Sequence, residues 1–284
     1  MTGASSRTLR VVVAAGLAGC NGAFGLDPTE VALPTSGIAD CDPSHDEDGD
    51  GLDDCHDNCA GVPNADQANF FEAENGELPD LVGDICDPDP TRGGDAVAYF
   101  FTFDKPEAMC EWQQLDGNWF VEGGQYIGEG IVEYPDFGQA FSLAPVLVPP
   151  YTMEARFTVD KLPPSRVAEF GLVANGAAPS EVSCSVKRGF DLVDYVQLYD
   201  NADGDRKEAR LQNLMMDGEA FRAVFTFAPP GMLSCSIRGE DGSGAILTLD
   251  AIDGGGVPAM AGRVGFEGHQ MDARIDYVTV YHRP

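Results

Sequence analysis

Between Cys41 and Cys59 the chain reads CDPSHDEDGDGLDDCHDNC, and no other stretch restricts its folding as much. With Asp46 taken as the first position of a loop, carboxylates recur at Asp48, Asp50, Asp54 and Asp57. Gly51 falls where such a loop makes its sharp turn, and Leu52 follows at the position that offers a backbone carbonyl. Carboxylates at this density repel one another strongly. A divalent ion relieves the repulsion when their oxygens fill its shell of roughly six to eight ligands. The spacing therefore predicts a calcium loop, with Asp46, Asp48, Asp50, Leu52, Asp54 and Asp57 as ligands, rather than a solvated acidic linker. Neither flank carries the apolar period of a helix. Cysteines are the candidates for holding the loop instead.

These residues resemble the thrombospondin type 3 repeat, whose pattern D-x-D-x-D-G-x-x-D-x-x-D-N-C is matched from Asp46 to Cys59. The likeness continues through Pro63-Asn64-Ala65-Asp66-Gln67 and ends in Gly83-Asp84-Ile85-Cys86-Asp87. Ala60 stands where the family has proline, and FFEAENGELP interrupts the second acidic run. The ligands left for a second ion are Asn69, Asp80, Asp84 and Asp87. In the family the cysteine of D-N-C joins that of G-D-x-C, which implies Cys59 with Cys86 and leaves Cys41 with Cys55 as the local remainder. Four cysteines allow three pairings, and the resemblance favours this one.

The chain opens with the features of an export signal over residues 1–19: Arg7 and Arg10, then the apolar run from Val11 to Ala18. That run is too short to span a bilayer, which takes about 20 residues. Leu17-Ala18-Gly19-Cys20 matches the bacterial lipobox, which implies lipidation of Cys20. Asn21 in place of aspartate implies sorting to the outer membrane. Residues 20–40, rich in Gly, Pro, Thr and Ser, read as a flexible tether to the calcium-binding segment at 41–95. Export to an oxidising compartment also makes disulfides the expected fate of the remaining cysteines.

Removal of residues 1–19 leaves 15 basic and 47 acidic residues, a net charge of −32. Residues 27–95 hold 20 of those acids against one base, Arg92, so the charge is concentrated in the repeat. Such a surface repels nucleic acid and anionic lipid headgroups.

A second unit, 96–284, has a period of two throughout. Strands are predicted at 98–103, 152–159, 168–174, 181–187, 195–199, 221–227, 232–238 and 245–249, with Gly and Pro turn signals between them. This pattern predicts an all-β fold, an antiparallel β-sandwich preceded by the irregular calcium-binding repeat. Cys184 in VSCSV and Cys235 in LSCSI both point inward by their apolar neighbours, which predicts a disulfide across paired strands and leaves Cys110 unpaired. Trp112, Trp119, Tyr126, Tyr134 and Phe137 read as core more than as a sugar-stacking platform.

The closing stretch GRVGFEGHQMDARIDYVTVY, 262–281, resembles the last hairpin of concanavalin A-like lectin and glucanase jelly rolls. The resemblance implies that fold and either glycan binding or glycan hydrolysis. Hydrolysis needs two carboxylates flanking the scissile bond, and the family's E-x-D-x-E strand does not occur here. Asp191 and Asp194 lie on opposite faces by their spacing, and Asp276 reads as a structural acid. The sequence therefore predicts a non-enzymatic, calcium-binding lipoprotein of the outer membrane that presents a lectin-like sandwich for carbohydrate binding or adhesion. A hydrolase with carboxylates drawn from separate strands is the alternative. Growth with a labelled fatty acid is expected to mark the wild-type chain and not Cys20→Ser; label persisting in the variant would contradict lipidation there.

Overall fold

The computed structural model describes residues 43–129, 138–145, 147–148, 150–163, 167–174, 181–200, 205–211, 215–228, 232–239, 247–249 and 263–283. The expected signal segment, tether and lipidation site at Cys20 lie outside the described residues, as do Cys41, Tyr134 and Phe137.

One helical turn, α1 (Phe71–Glu74), falls in the repeat and a 3-10 turn spans Pro106–Glu111. The strands follow as β1 (Ala96–Thr102), β2 (Trp112–Asp116), β3 (Asn118–Glu122), β4 (Gln125–Glu129), β5 (Gly138–Ser142), β6 (Tyr151–Lys161), β7 (Ala168–Ala174) and β8 (Val182–Arg188). They continue as β9 (Asp194–Asp200), β10 (Asp205–Arg210), β11 (Glu219–Ala228), β12 (Met232–Gly239), β13 (Leu247–Leu249), β14 (Val264–His269) and β15 (Asp272–His282). One sheet runs β13-β12-β11-β6-β15-β4-β3, with β1 also paired to β15; the other runs β10-β9-β8-β7-β14-β5-β2. Every pairing is antiparallel, and the two sheets form a β-sandwich.

Alternation along the strands sends one row of each sheet into a shared core. Phe157, Phe221, Phe225, Ile275 and Val280 enter it from the first sheet; Phe170, Leu172, Leu198 and Phe266 enter from the second. Trp112, Trp119 and Tyr126 are core residues too, packed ring against ring with Phe103, Phe170 and Phe266. Cys184 and Cys235 form the expected disulfide. It joins β8 to β12, strands of opposite sheets, rather than two paired strands. Cys110, expected to be unpaired, is disulfide-bonded, as is Cys55. The expectation that left Cys110 over came from an odd count, seven cysteines once Cys20 is set aside for lipid.

The repeat is not a free stalk. Cys59 and Cys86 are joined as expected, and with Val62 and Val82 they form a small core closed by Tyr281 of β15 and the half-buried Val97 of β1. Gly61 lies flat on Tyr277: a Cβ there would sit 2.5 Å from the ring. Tyr277 and Tyr281 face outward because β15 shifts register between Ile275 and Tyr277, so that Ile275 and Val278 are both core residues. Two polar contacts reinforce the seam. His45 Nε2 lies 2.9 Å from Asp104 Oδ1, and the Arg283 guanidinium pairs with Asp95 and donates to the Arg92 carbonyl at 3.0 Å.

Gly61→Val must push the repeat off Tyr277, because overpacking of a close contact has no room to relax. The expected outcome is destabilisation by about 1–3 kcal/mol in a denaturant melt. Equal melts of Gly61→Val and wild type would contradict the packed seam.

Candidate functional sites

The predicted loop closes on itself through its own carboxylates. Asp46 accepts the N–H groups of Gly49 at 2.8 Å and Gly51 at 3.0 Å, and both glycines sit at positive φ (76° and 102°), which a loop this tight requires. Asp50 accepts the Leu52 N–H at 2.9 Å and the Asn64 N–H at 2.9 Å, which ties the loop to the next segment. Asp57 accepts from the Cys59 N–H and from Gln67 Nε2, both at 2.7 Å. Asp46, Asp48 and Asp50 each offer an oxygen within 4.8 Å of the others. Asp48 Oδ2 is buried with no hydrogen-bond donor. Its carboxyl is pushed up to about 7, by burial first and then by the charges of Asp57, Asp50 and Asp46, against a backbone hydrogen bond from Asp50. An orphaned buried oxygen facing further carboxylates is a donor set that fits a hard cation such as calcium.

Asp54 is placed elsewhere. It accepts the Glu47 N–H at 2.9 Å and lies 2.8 Å from His45 Nδ1, so its oxygens serve the fold of the loop rather than the Asp46 cluster. In the second acidic run the structure keeps Asp80 and Asp87 together, with Asn69 donating to the Asp80 carbonyl at 2.9 Å. Asp84 is removed from them. Its carboxylate accepts the N–H groups of Phe70 (3.1 Å) and Phe71 (3.2 Å) at the start of α1. In its place stands Glu72, from the interrupting segment, within 4.8 Å of Asp80 and Asp87. No spacing rule finds Glu72, because an interrupted run has no period to count.

A second kind of site lies on the face of the β10-to-β2 sheet that points away from the core. Alternation places Glu169 of β7, Ser183, Ser185 and Lys187 of β8, Gln197 and Tyr199 of β9 and Glu267 of β14 on that face. With Glu181 and Arg206, all of these except Ser185 line a recess of about 280 Å³. Glu267 lies opposite Gly171, two residues along from Glu169, so the two glutamates are diagonal cross-strand neighbours. Both are buried. Ser185 donates to Glu169 at 2.5 Å and Gln197 donates to it at 3.1 Å; the Lys187 ammonium donates to Gln197 at 2.6 Å. Burial, and then the charge of Glu169, push the Glu267 carboxyl up to about 8. Burial also raises Glu169, against the hydrogen bond from Ser185. The predicted structural acid Asp276 is structural: Gln125 donates to it at 2.5 Å and Arg156 at 2.7 Å.

No protein-family model matches the chain, and no curated protein does. Among solved structures it is similar to a β-1,3-glucanase from Mycobacterium marinum, with a TM-score of 0.46 at 13% identity over 65% of this chain and 98% of that one. Peanut lectin in complex with a peptide gives 0.48 at 11% identity over 64% and 96% of the two chains. The lectin UEA-II in complex with galactose gives 0.47 at 14% identity over 66% and 100%. These are likenesses of fold.

Two outcomes follow. Asp48→Asn is expected to weaken calcium binding to the full chain at least about tenfold, or 1.4 kcal/mol, by calorimetric titration, with unchanged affinity counting against the loop. For Glu267, the raised carboxyl means that the folded chain holds a proton the unfolded chain has lost. Its contribution to stability falls as pH rises from about 4.5 to about 8. Glu267→Gln should flatten that part of the stability profile, measured by melts across the range.

Proposed function

We propose that the chain is a calcium-stabilised, envelope-anchored glycan-binding lipoprotein, held by Cys20 in the bacterial outer membrane, whose sandwich binds carbohydrate without cleaving it. The observation that carries this reading is the polar recess on the outer face of the second sheet. Ser183, Gln197, Glu181 and Lys187 surround it with hydrogen-bond donors and acceptors, and Tyr199 adds a ring at its edge. That mixture suits hydroxyl-rich ligands, which need many directed polar contacts and one apolar face to rest on. At about 280 Å³ it is of the size of a single sugar ring, smaller than the roughly 300–1,000 Å³ of sites for drug-sized ligands. The charge of the chain speaks against nucleic acid. Among the described residues no helix is long and apolar enough to cross a membrane, which leaves attachment to the lipid at Cys20 in this reading. Calcium in the Asp46–Asp57 loop supports the fold of the repeat and with it the seam against β15.

The second reading is hydrolysis, and one observation favours it. Glu169 and Glu267 are paired carboxyls supplied by neighbouring strands, the arrangement no single-strand motif reveals. Retaining glycosidases place two carboxyls roughly 5–5.5 Å apart with one protonated, and the raised Glu267 carboxyl supplies a proton at neutral pH. A panel of polysaccharides scored for both retention and reducing-end release separates the two readings. Retention without release is expected, weakened about tenfold in Tyr199→Ala through loss of the stacking face. Release that vanishes in Glu267→Gln would establish hydrolysis instead, and neither retention nor release would remove the glycan assignment.

A further inference from the structure

Glu72 is completely buried, and neither of its carboxylate oxygens accepts a hydrogen bond from the protein. A buried carboxylate in that state is among the costliest arrangements a fold can hold, because it has given up water and received nothing. Two neighbours share the condition. Asn69 Oδ1 and Asp87 Oδ2 are also buried without a donor. The three carboxylates Glu72, Asp80 and Asp87 each offer an oxygen within 4.8 Å of the other two. Two oxygens 4.8 Å apart span twice about 2.4 Å, a metal–oxygen distance inside the roughly 2.3–2.6 Å range for calcium.

Among the described residues no basic side chain is paired with Glu72, Asp80 or Asp87. Arg92 is the single basic residue between positions 27 and 95. Arg283 is directed at Asp95, at Asp89 and at the Arg92 carbonyl. Meanwhile the backbone works to bring the carboxylates together. Asp84 accepts the first N–H groups of α1, and Asn75 Nδ2 donates back to the Phe71 carbonyl at 2.8 Å, so the turn is held with Glu72 facing inward. Asp80 accepts the N–H groups of Val82 (2.8 Å), Gly94 (2.9 Å) and Asp95 (2.7 Å), and Asp87 accepts that of Asp89 (2.6 Å).

We propose that Glu72, Asp80 and Asp87, with the Asn69 side-chain carbonyl, bind a second divalent cation of the calcium type, and that this ion fastens residues 87–95 to the end of β15. The site differs from the one the repeat pattern implies: Asp84 leaves it, and a glutamate from the interrupting segment enters. Its second role follows from connectivity. Asp80 organises Gly94 and Asp95, and Asp89 and Asp95 hold Arg283 directly after β15. The ion therefore ties the linker of the repeat to the sandwich, whereas the Asp46–Asp50 cluster closes a loop. The proposal shares with the calcium reading above only the premise that the compartment supplies the ion.

The test is calorimetric titration of CaCl2 into the full chain after chelation, with melting in calcium and in chelator. Wild type is expected to take up one more equivalent than Glu72→Gln. Asp48→Asn should lose a different equivalent, so failure of the first loop and failure of this site are told apart. In chelator Glu72→Gln should melt at or above wild type, because a neutral amide that can donate to Asp80 and Asp87 replaces an orphaned charge. In calcium it should melt below wild type, and only there should peptide bonds within 87–95 be cut faster by protease than in wild type. Should Glu72→Gln not fold, Asp87→Asn carries the same test, since asparagine keeps an acceptor for the Asp89 N–H. Equal calcium equivalents in wild type and variant, or a melting difference that is the same with and without calcium, would overturn the proposal.

Discussion

Strand β15 is the element on which the rest of this structure depends. Along one edge it pairs with β6 through its whole length; along the other it pairs with β4 at its start and with β1 at its end. Ala273, Ile275, Val278 and Val280 go into the core between the sheets, while Tyr277 and Tyr281 leave it to carry the repeat. The switch depends on one register shift at Asp276. Without it a strict alternation would send Tyr277 and Tyr281 to the core side with Ile275 and turn the valines outward. Arg156 and Gln125 hold the Asp276 carboxylate from the flanking strands, so the irregularity is pinned on both sides.

That strand joins two parts stabilised by opposite means. The sandwich is stabilised by apolar burial around a wide aromatic core and by a disulfide between its sheets. The repeat buries almost nothing apolar beyond Cys59, Val62, Val82 and Cys86. Ordering its backbone costs roughly 1–2 kcal/mol per residue, which so small a core does not offset. What it has instead is a dense set of carboxylates already turned toward common points, several with oxygens that receive no hydrogen bond. An ion at each such point would remove the repulsion and the desolvation cost together.

Much of this was legible in the sequence. The period of two located most of the sandwich strands, because alternation is imposed directly by a core on one side of each sheet. The Asp46, Asp48 and Asp50 cluster was legible for a similar reason, since a tight loop converts spacing into geometry. Three things were not. Asp54 and Asp84 have the right spacing but are captured by His45 with Glu47 and by the start of α1, competition that spacing cannot express. Glu72 and the Glu169–Glu267 pair come together only through tertiary pairing. The outward turn of Tyr277 depends on a bulge, so the repeat reads as a separate stalk until the register of β15 is known.

The central claim is that cations hold the repeat as a folded body against β15. Hydrogen exchange on the full chain with its disulfides intact tests this most directly, run in about 1 mM calcium, where extracellular calcium modules are filled, and again in chelator. The amides of Asp54 and Gly83, hydrogen-bonded across the repeat, and those of Val62 and Cys86, which close turns within it, should be protected in calcium and exchange freely without it. Amides in β11, which pairs with β6 and β12, should be unchanged. Equal protection of the four repeat amides in both conditions would contradict the account.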